Sequence, residues 1–358
     1  MTSIKKIKTL YPALQTSAGE NGSERFFLSR LLAVLATVLF FSSGFAQDIH
    51  FSQYFNTPLS LNPALTGKVD GTFRLGIDYR NQWFGIGSRK PYSTPAFYGD
   101  VPVRFKSKDI LGIGLNIVKD KSSGGKLSMF SAVISSAFHK AMGKSKNHFF
   151  SFGLQLGFLQ KKLDLGNITL RDQIDLQNDA TLGSADFNSL KGSDGGFEFN
   201  LGFDWSSEFS EHVIIHAGYA AFHITSPDIS LYGISDENLP VRHAFNFGAD
   251  FGISEHFRLH PFFVHLTQAK SKETFTGLSL GIPFNDDNGM YLGSYFRVND
   301  AVVPYLGFDI KGFKLGVSYD MTTSSLEKTS GGVEISLTYT GRYLPVPDVV
   351  PTLYCPRF

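Results

Sequence analysis

The sequence predicts an all-β fold, a transmembrane antiparallel β-barrel of about 14 strands with periplasmic termini. Three observations point to it. Apolar side chains recur at every second position over most of the chain. The hydrophobic content of 42% coexists with a mean hydropathy of only -0.04, so apolar residues are diluted rather than gathered into helical spans. The connections between the alternating segments fall into a short set and a long set, the asymmetry expected of an outer-membrane barrel.

The chain of 358 residues begins with a segment of another kind. Leu31 to Phe41 form an apolar run preceded by Arg25 and Arg30 and followed by Ser42, Ser43, Gly44, Phe45 and Ala46. That run is shorter than the roughly 20 residues of a spanning helix, and the small residues at its exit predict a signal peptide over residues 1–46, cleaved after Ala46. Its removal takes five basic and two acidic residues from totals of 33 and 32, leaving a near-neutral mature chain. No basic excess of the kind that nucleic-acid binding needs is present. Cys355 is the one cysteine, so an intramolecular disulfide framework is excluded.

Residues 47–72 come next. Asn62-Pro63 predicts a turn, because the residue before proline is pushed away from helical backbone, and the segment reads either as a lumen plug or docking element or as a simple lead-in to the barrel. The barrel itself is expected over 73–340. Phe150, Phe152, Leu154, Leu156 and Phe158 alternate with Ser151, Gly153, Gln155 and Gly157. Phe197, Phe199, Leu201, Phe203 and Trp205 do the same against Glu198, Asn200, Gly202 and Asp204. Strands are predicted near 73–79, 95–103, 111–117, 127–138, 150–158, 197–205, 213–221, 241–253, 257–265, 274–282, 290–298, 302–310, 313–319 and 333–339. A soluble sandwich explains the alternation equally well. The connections decide: 80–94, 159–196, 222–240 and 320–332 are long and all fall on one side, whereas every connection on the other side is short. Residues 341–358 form a periplasmic tail.

Tyr79, Trp83, Trp205, Tyr219, Tyr291, Tyr295, Tyr305 and Tyr339 lie near strand ends and suit interfacial girdles or plain strand propensity. Glycines of the second face, such as Gly112 and Gly114, allow close packing inside the lumen. Catalytic chemistry finds no support, with no nucleophile elbow, zinc helix or phosphate loop. His212 with His216, and His256 with His260, stand four apart, which on a strand separates them by about 13 Å, too far to share a metal. No enzyme, cofactor or metal site is expected.

The mature amino terminus carries Phe51, Ser52, Gln53 and Tyr54, then Asn62, Pro63 and Ala64 with Gly67 shortly after, and next Tyr79, Arg80, Asn81, Gln82 and Trp83. With the Pro95 to Asp100 stretch and the ending Cys355, Pro356, Arg357 and Phe358, this pattern resembles the PorP/SprF family of the Bacteroidetes type IX secretion system across essentially the whole mature chain. The resemblance implies an outer-membrane barrel that serves secretion of sorting-domain proteins, or in the SprF branch helps export or anchor large gliding adhesins. The implied partners are type IX secretion components, sorting-domain cargo or an adhesin, and outer-membrane lipid. Arg80, Gln82 and Trp83 suit either a protein interface or barrel-rim anchoring. A channel or hydrophobic-solute transporter is the competing expectation, with Asn116, Gln155, Glu198, Asn200, Asp204, Asn246 and Asp250 lining water in the lumen.

Overall fold

The computed structural model describes residues 48, 50–83, 91–145, 147–167, 174–175, 180–181, 190–231, 238–285, 287–324 and 331–342. The expected signal peptide, most of the carboxyl-terminal tail, Arg357 and Phe358 lie outside these residues.

The strands are β1 (Phe73–Gln82), β2 (Tyr92–Arg104), β3 (Ile110–Ser122), β4 (Leu127–Met142), β5 (His148–Leu163), β6 (Ile174–Asp175), β7 (Ala180–Thr181), β8 (Ser193–Ser210), β9 (Val213–Phe222), β10 (Arg242–Ser254), β11 (Phe257–Gln268), β12 (Ser271–Asn285), β13 (Asn288–Arg297), β14 (Ala301–Ile310), β15 (Phe313–Thr322) and β16 (Gly332–Gly341). All but β6 and β7, which pair with each other in a connection, join one closed antiparallel barrel of fourteen strands. Closure runs from Phe73↔Gly341 to Gln82↔Gly332 between β1 and β16, so no barrel strand is left with an unpaired edge.

Alternation decides what faces where. Phe150, Phe152, Phe158, Phe197 and Phe203 are exposed on the outer surface, while Ser151, Gln155, Glu198, Asn200 and Asp204 between them are buried. Only lipid can accept a continuous outer face of this kind. The described connections at one end are tight, as at Lys311-Gly312, where both residues have positive φ (50° and 86°). Those at the other end include the long 164–192 and 223–241.

Several strands outrun their predicted limits. The sequence places the third strand at 111–117 and a connection at 118–126, but β3 runs to Ser122, and the turn to β4 passes through Gly124 and Gly125 at φ of 72° and 88°. Similarly, β5 continues through Gln160, Lys161 and Lys162, and β8 begins at Ser193. The apolar signal stops where the lipid belt stops, whereas ladder hydrogen bonding has no such limit.

Candidate functional site, the occupied lumen

The segment before β1 lies inside the barrel. Its backbone is irregular: a 3-10 turn at Tyr54–Asn56, one helical turn at Pro58–Leu61 and a second 3-10 turn at Pro63–Leu65. Two prolines and an asparagine explain the breaks. Asn62 is extended, as a residue before proline should be, and its Oδ1 accepts from the Ala64 N–H at 2.9 Å, capping the turn that follows. The same side chain donates from Nδ2 to the Phe203 carbonyl at 2.9 Å. One residue thus shapes the segment and ties it to the wall.

The segment is amphipathic across its width. Tyr54, Phe55, Leu61 and Leu65 pack into an apolar cluster with Phe262, Val264, Phe275, Tyr295, Val303 and Tyr305 from β11 to β14. Phe55 meets Tyr305 edge-on at 5.0 Å between centroids, and Tyr54 lies 5.0 Å from Phe262. Burial of each such ring contributes about 1.5–3 kcal/mol. Tyr295 and Tyr305, which suited either a girdle or plain strand propensity, therefore belong to the lumen and not to a girdle; alternation phase puts them inward, and proximity to a strand end says nothing about phase.

The opposite side of the segment is polar and hydrogen-bonded. Glu334 accepts from the Ser52 and Gln53 backbone N–H groups at 2.7 and 2.6 Å. Arg80 donates to Ser52 Oγ at 2.7 Å and pairs with Asp320 at 2.7 Å and Glu334 at 3.3 Å. Arg297 reaches Asp320 at 2.9 Å, which makes a buried charge network of two arginines and two carboxylates. Further along, Gln155 donates to the Leu59 carbonyl at 2.8 Å, and Lys68 pairs with Asp204 at 2.6 Å with both side chains fully buried. His139 Nε2 lies 2.8 Å from the Thr66 carbonyl, so that nitrogen carries the proton and Nδ1 accepts from Ser151 Oγ at 2.7 Å. The Gly67 N–H donates to Asp100 Oδ2 at 2.6 Å, and Asp100 is held by a two-pronged Arg74 at 2.9 and 2.7 Å.

Glycines let the backbone come this close. A Cβ on Gly112 would overlap the Thr66 carbonyl, and one on Gly153 would overlap the Pro63 and Ala64 backbone. Gly67 is required twice, by its φ of +73° and by its contact with Gly112.

The segment has a direction. Asp48 pairs with His223 at 2.8 Å and Arg242 at 3.0 Å, and its N–H donates to Gln268 at 2.8 Å, all at the end with the long connections. Thr72 instead donates to the Gly341 carbonyl at 2.8 Å, at the end with the tight turns. Both barrel ends, Phe73 and Gly341, sit at that tight-turn end, and the segment preceding Phe73 runs the length of the lumen towards the opposite mouth.

The motif residues separate by place. Phe51, Ser52, Gln53, Tyr54, Asn62, Pro63 and Gly67 all belong to the lumen segment and are buried. Arg80 is 1% exposed and points inward, so it is neither a rim anchor nor a surface contact. Gln82 lies beside it, and its amide, oriented with oxygen towards Arg80, accepts from Nε at 3.1 Å. Trp83 follows β1 at a φ of 63° with its ring 4.6 Å from Tyr92, at the long-connection rim. Asn116, Gln155, Asp204 and Asn246, expected to line water, contact the segment instead, while Glu198 faces His223 at 3.4 Å and Asp250 faces Arg258 at 3.2 Å. Sequence reading missed Lys68, Arg74, Asp100, His139, Arg297, Asp320 and Glu334. A usable signal existed on β1, where Arg74, Asp78 and Arg80 occupy the phase opposite Leu75, Ile77 and Tyr79.

His50 introduces a pH dependence. Burial, and then the nearby Arg80, Arg297 and Arg242, hold its imidazole well below the usual histidine range, with Glu273 3.2 Å from Nδ1. The unfolded chain therefore takes up a proton at about pH 6.5 that the folded chain refuses. The contribution of His50 to stability is therefore expected to fall as pH drops below about 6.5, by up to about 1.4 kcal/mol per pH unit. Thermal unfolding of the detergent-solubilised barrel at pH 7.5 and 5.5 checks this, and His50→Gln should shrink the difference.

A model of the type IX secretion system membrane protein PorP/SprF matches residues 43–339. The chain belongs to the PorP/SprF family. This barrel is accordingly an outer-membrane protein of type IX secretion. No curated protein matches the chain. Similar solved structures include the toluene transporter TbuX of Ralstonia pickettii, at 9% identity and a TM-score of 0.47, covering 81% of this chain and 94% of that one. The P. putida toluene transporter TodX is 11% identical with a TM-score of 0.47, over 81% and 95% of the two chains. A Pseudomonas aeruginosa FadL homologue is 9% identical with a TM-score of 0.45, over 78% and 92%.

Proposed function

We propose that this PorP/SprF barrel is a protein-holding component of the type IX secretion or gliding machinery rather than a conduit or an enzyme. The observation that carries the reading is the lumen segment, bonded to the wall from its Asp48 end to its Thr72 end. With residues 47–72 acting as a plug, the surfaces left for work are the two mouths. By the usual arrangement of short periplasmic turns and long extracellular loops, the long-connection mouth faces the cell exterior and receives a sorting-domain cargo or a large surface adhesin. The tight-turn mouth and the tail then face periplasmic secretion components. Residues 1–46 deliver the chain as a signal peptide, and no cofactor takes part.

A channel or hydrophobic-solute transporter is the second reading. A cavity of about 580 Å³ at the tight-turn mouth favours it, floored by Phe55, Asn56 and Val69 of the lumen segment and walled by Tyr98, Tyr291 and Lys314. Transport through it requires displacement of that floor.

The discriminating experiment is purification of the tagged barrel from native outer membranes in mild detergent, with mass spectrometry of what accompanies it. Recovery of type IX components or one sorting-domain protein is the expected result. Repeated recovery of the barrel alone, with other membrane complexes intact in the same extract, overturns the holding role.

A further inference from the structure

We propose that the outer face of β3, β4 and β5 carries a binding site for a membrane lipid with a phosphate-bearing headgroup, seated from the leaflet on the long-connection side. It goes beyond the holding role and does not depend on it. Above the lipid belt the outward row on these strands changes from apolar to cationic. Lys119 and Lys121 on β3, Lys126 in the following turn and Lys162 on β5 are all exposed. Register sets them close together: Lys121 pairs with Ser128, which pairs with Lys162, so two strand spacings of about 4.8 Å separate the two lysines. Lys119 stands one outward position below Lys121, about 7 Å along the strand.

The cluster has little to neutralise it. Asp120, between Lys119 and Lys121 in sequence, points to the other face and accepts from Thr94 Oγ1 at 2.6 Å. Asp164 lies at the patch edge, its N–H on the Lys126 carbonyl at 2.7 Å. Lys191, by contrast, sits on Asp194 at 2.7 Å. Among the described residues none of Lys119, Lys121, Lys126 and Lys162 has an ion-pair partner. The corresponding outward ends of β1, β13, β15 and β16 carry Tyr79, Phe296, Met321 and Val333, and β12 with its preceding turn carries only Lys272 and Lys270, so the four-lysine cluster belongs to this side of the barrel.

Height and the surface beneath give the ligand class. Lys121 is eleven residues above Ile110, the tight-turn end of β3. That is about 36 Å along the strand, or about 28 Å along the membrane normal at the roughly 40° tilt of such barrels, just past an apolar band of about 25 Å. Lys121 therefore lies at headgroup level, and Lys119, at about 23 Å by the same measure, reaches that level by extending its stem upward. Directly below, Leu115, Ile134 and Leu156 form a paired row across β3, β4 and β5, each exposed to the lipid. A lipid placed here lays acyl chains on that row and sets its phosphates among the lysines, each contributing about fivefold in affinity. A soluble anion would use the lysines and not the apolar row.

The test uses the full folded barrel in neutral detergent, titrated with bisphosphorylated lipid A, with its dephosphorylated counterpart and with inorganic phosphate, and read by native mass spectrometry. Retention of one phosphorylated lipid per barrel is expected, with weak retention of the dephosphorylated form and no competition by millimolar phosphate. The triple variant Lys119→Gln, Lys121→Gln, Lys162→Gln should bind roughly 100-fold more weakly. It should keep heat-modifiable gel mobility, since all three side chains are exposed. Lys270→Gln with Lys272→Gln, outside the patch, should leave retention unchanged. Equal retention of the two lipids, an unaffected triple variant, or binding that inorganic phosphate abolishes would each overturn the proposal. So would capture of an acidic protein segment by the lysines without lipid retention.

Discussion

Deleting residues 48–69 while keeping β1 intact is expected to turn a closed barrel into a conducting one. The segment supplies the apolar filling against β11 to β14 and the polar partners of Gln155, Asp204 and Glu334. Without it, a lumen lined by Asn116, Gln155, Asn200 and Asp204 fills with water, as wide barrels with polar interiors do. Solute entry into proteoliposomes should rise by at least about tenfold over the intact protein. The deletion also exposes buried charges to water, which solvates them, so the strand ladder should still close; heat-modifiable mobility verifies that. A folded deletion variant with unchanged flux would mean that the loops, not the segment, close the barrel. High flux through the intact protein would move the functional reading to the channel.

Arg80→Ala is the point substitution expected to do most damage. Arg80 is the shared cation of Asp320, Glu334 and Ser52, and its removal leaves two buried carboxylates with only Arg297 nearby. Breaking a buried pair by deleting one partner costs about 3–5 kcal/mol, because the charge left behind remains desolvated. The loss falls on the join between segment and wall rather than on the ladder, since β1 pairs with β16 and β2 through backbone groups that alanine keeps. Limited proteolysis should therefore cut between residues 48 and 60 in the variant and not in the parent, while the barrel stays resistant. Arg80→Lys keeps the charge without the fork and should give an intermediate result. Identical cleavage patterns in all three proteins would show that the charge network does not secure the segment.

Both results bear on how the family motif works. Ser52 and Gln53 present backbone N–H groups to Glu334, Asn62 caps its own turn, Gly67 provides a left-handed backbone and a close approach, and Arg80 anchors the far wall. The motif is thus chiefly the recipe for seating one segment in one lumen. Its residues were legible as a pattern, and Asn62-Pro63 as a turn. Their partners were not, because Glu334 and Asp320 lie 240 or more positions away and nothing local marks them.

Strand number and closure were within reach of the sequence, since alternation is a local consequence of backbone geometry and a lipid belt imposes it on every barrel strand. Loop asymmetry followed from the spacing of those strands. Alternation also gave the inward phase, yet it left open what fills the inside. Polar inward residues such as Gln155 and Asp204 read identically whether they face water or protein, and only the tertiary structure put Leu59 and Lys68 against them. Strand ends such as Lys119 to Ser122 were likewise invisible, because hydrogen bonding between strands continues past the belt that writes the apolar pattern. By itself the sequence determined the wall of this protein; the fold decided that the chain's own amino-terminal segment fills it, because that outcome rests on contacts between residues whose distance in sequence erases any local trace.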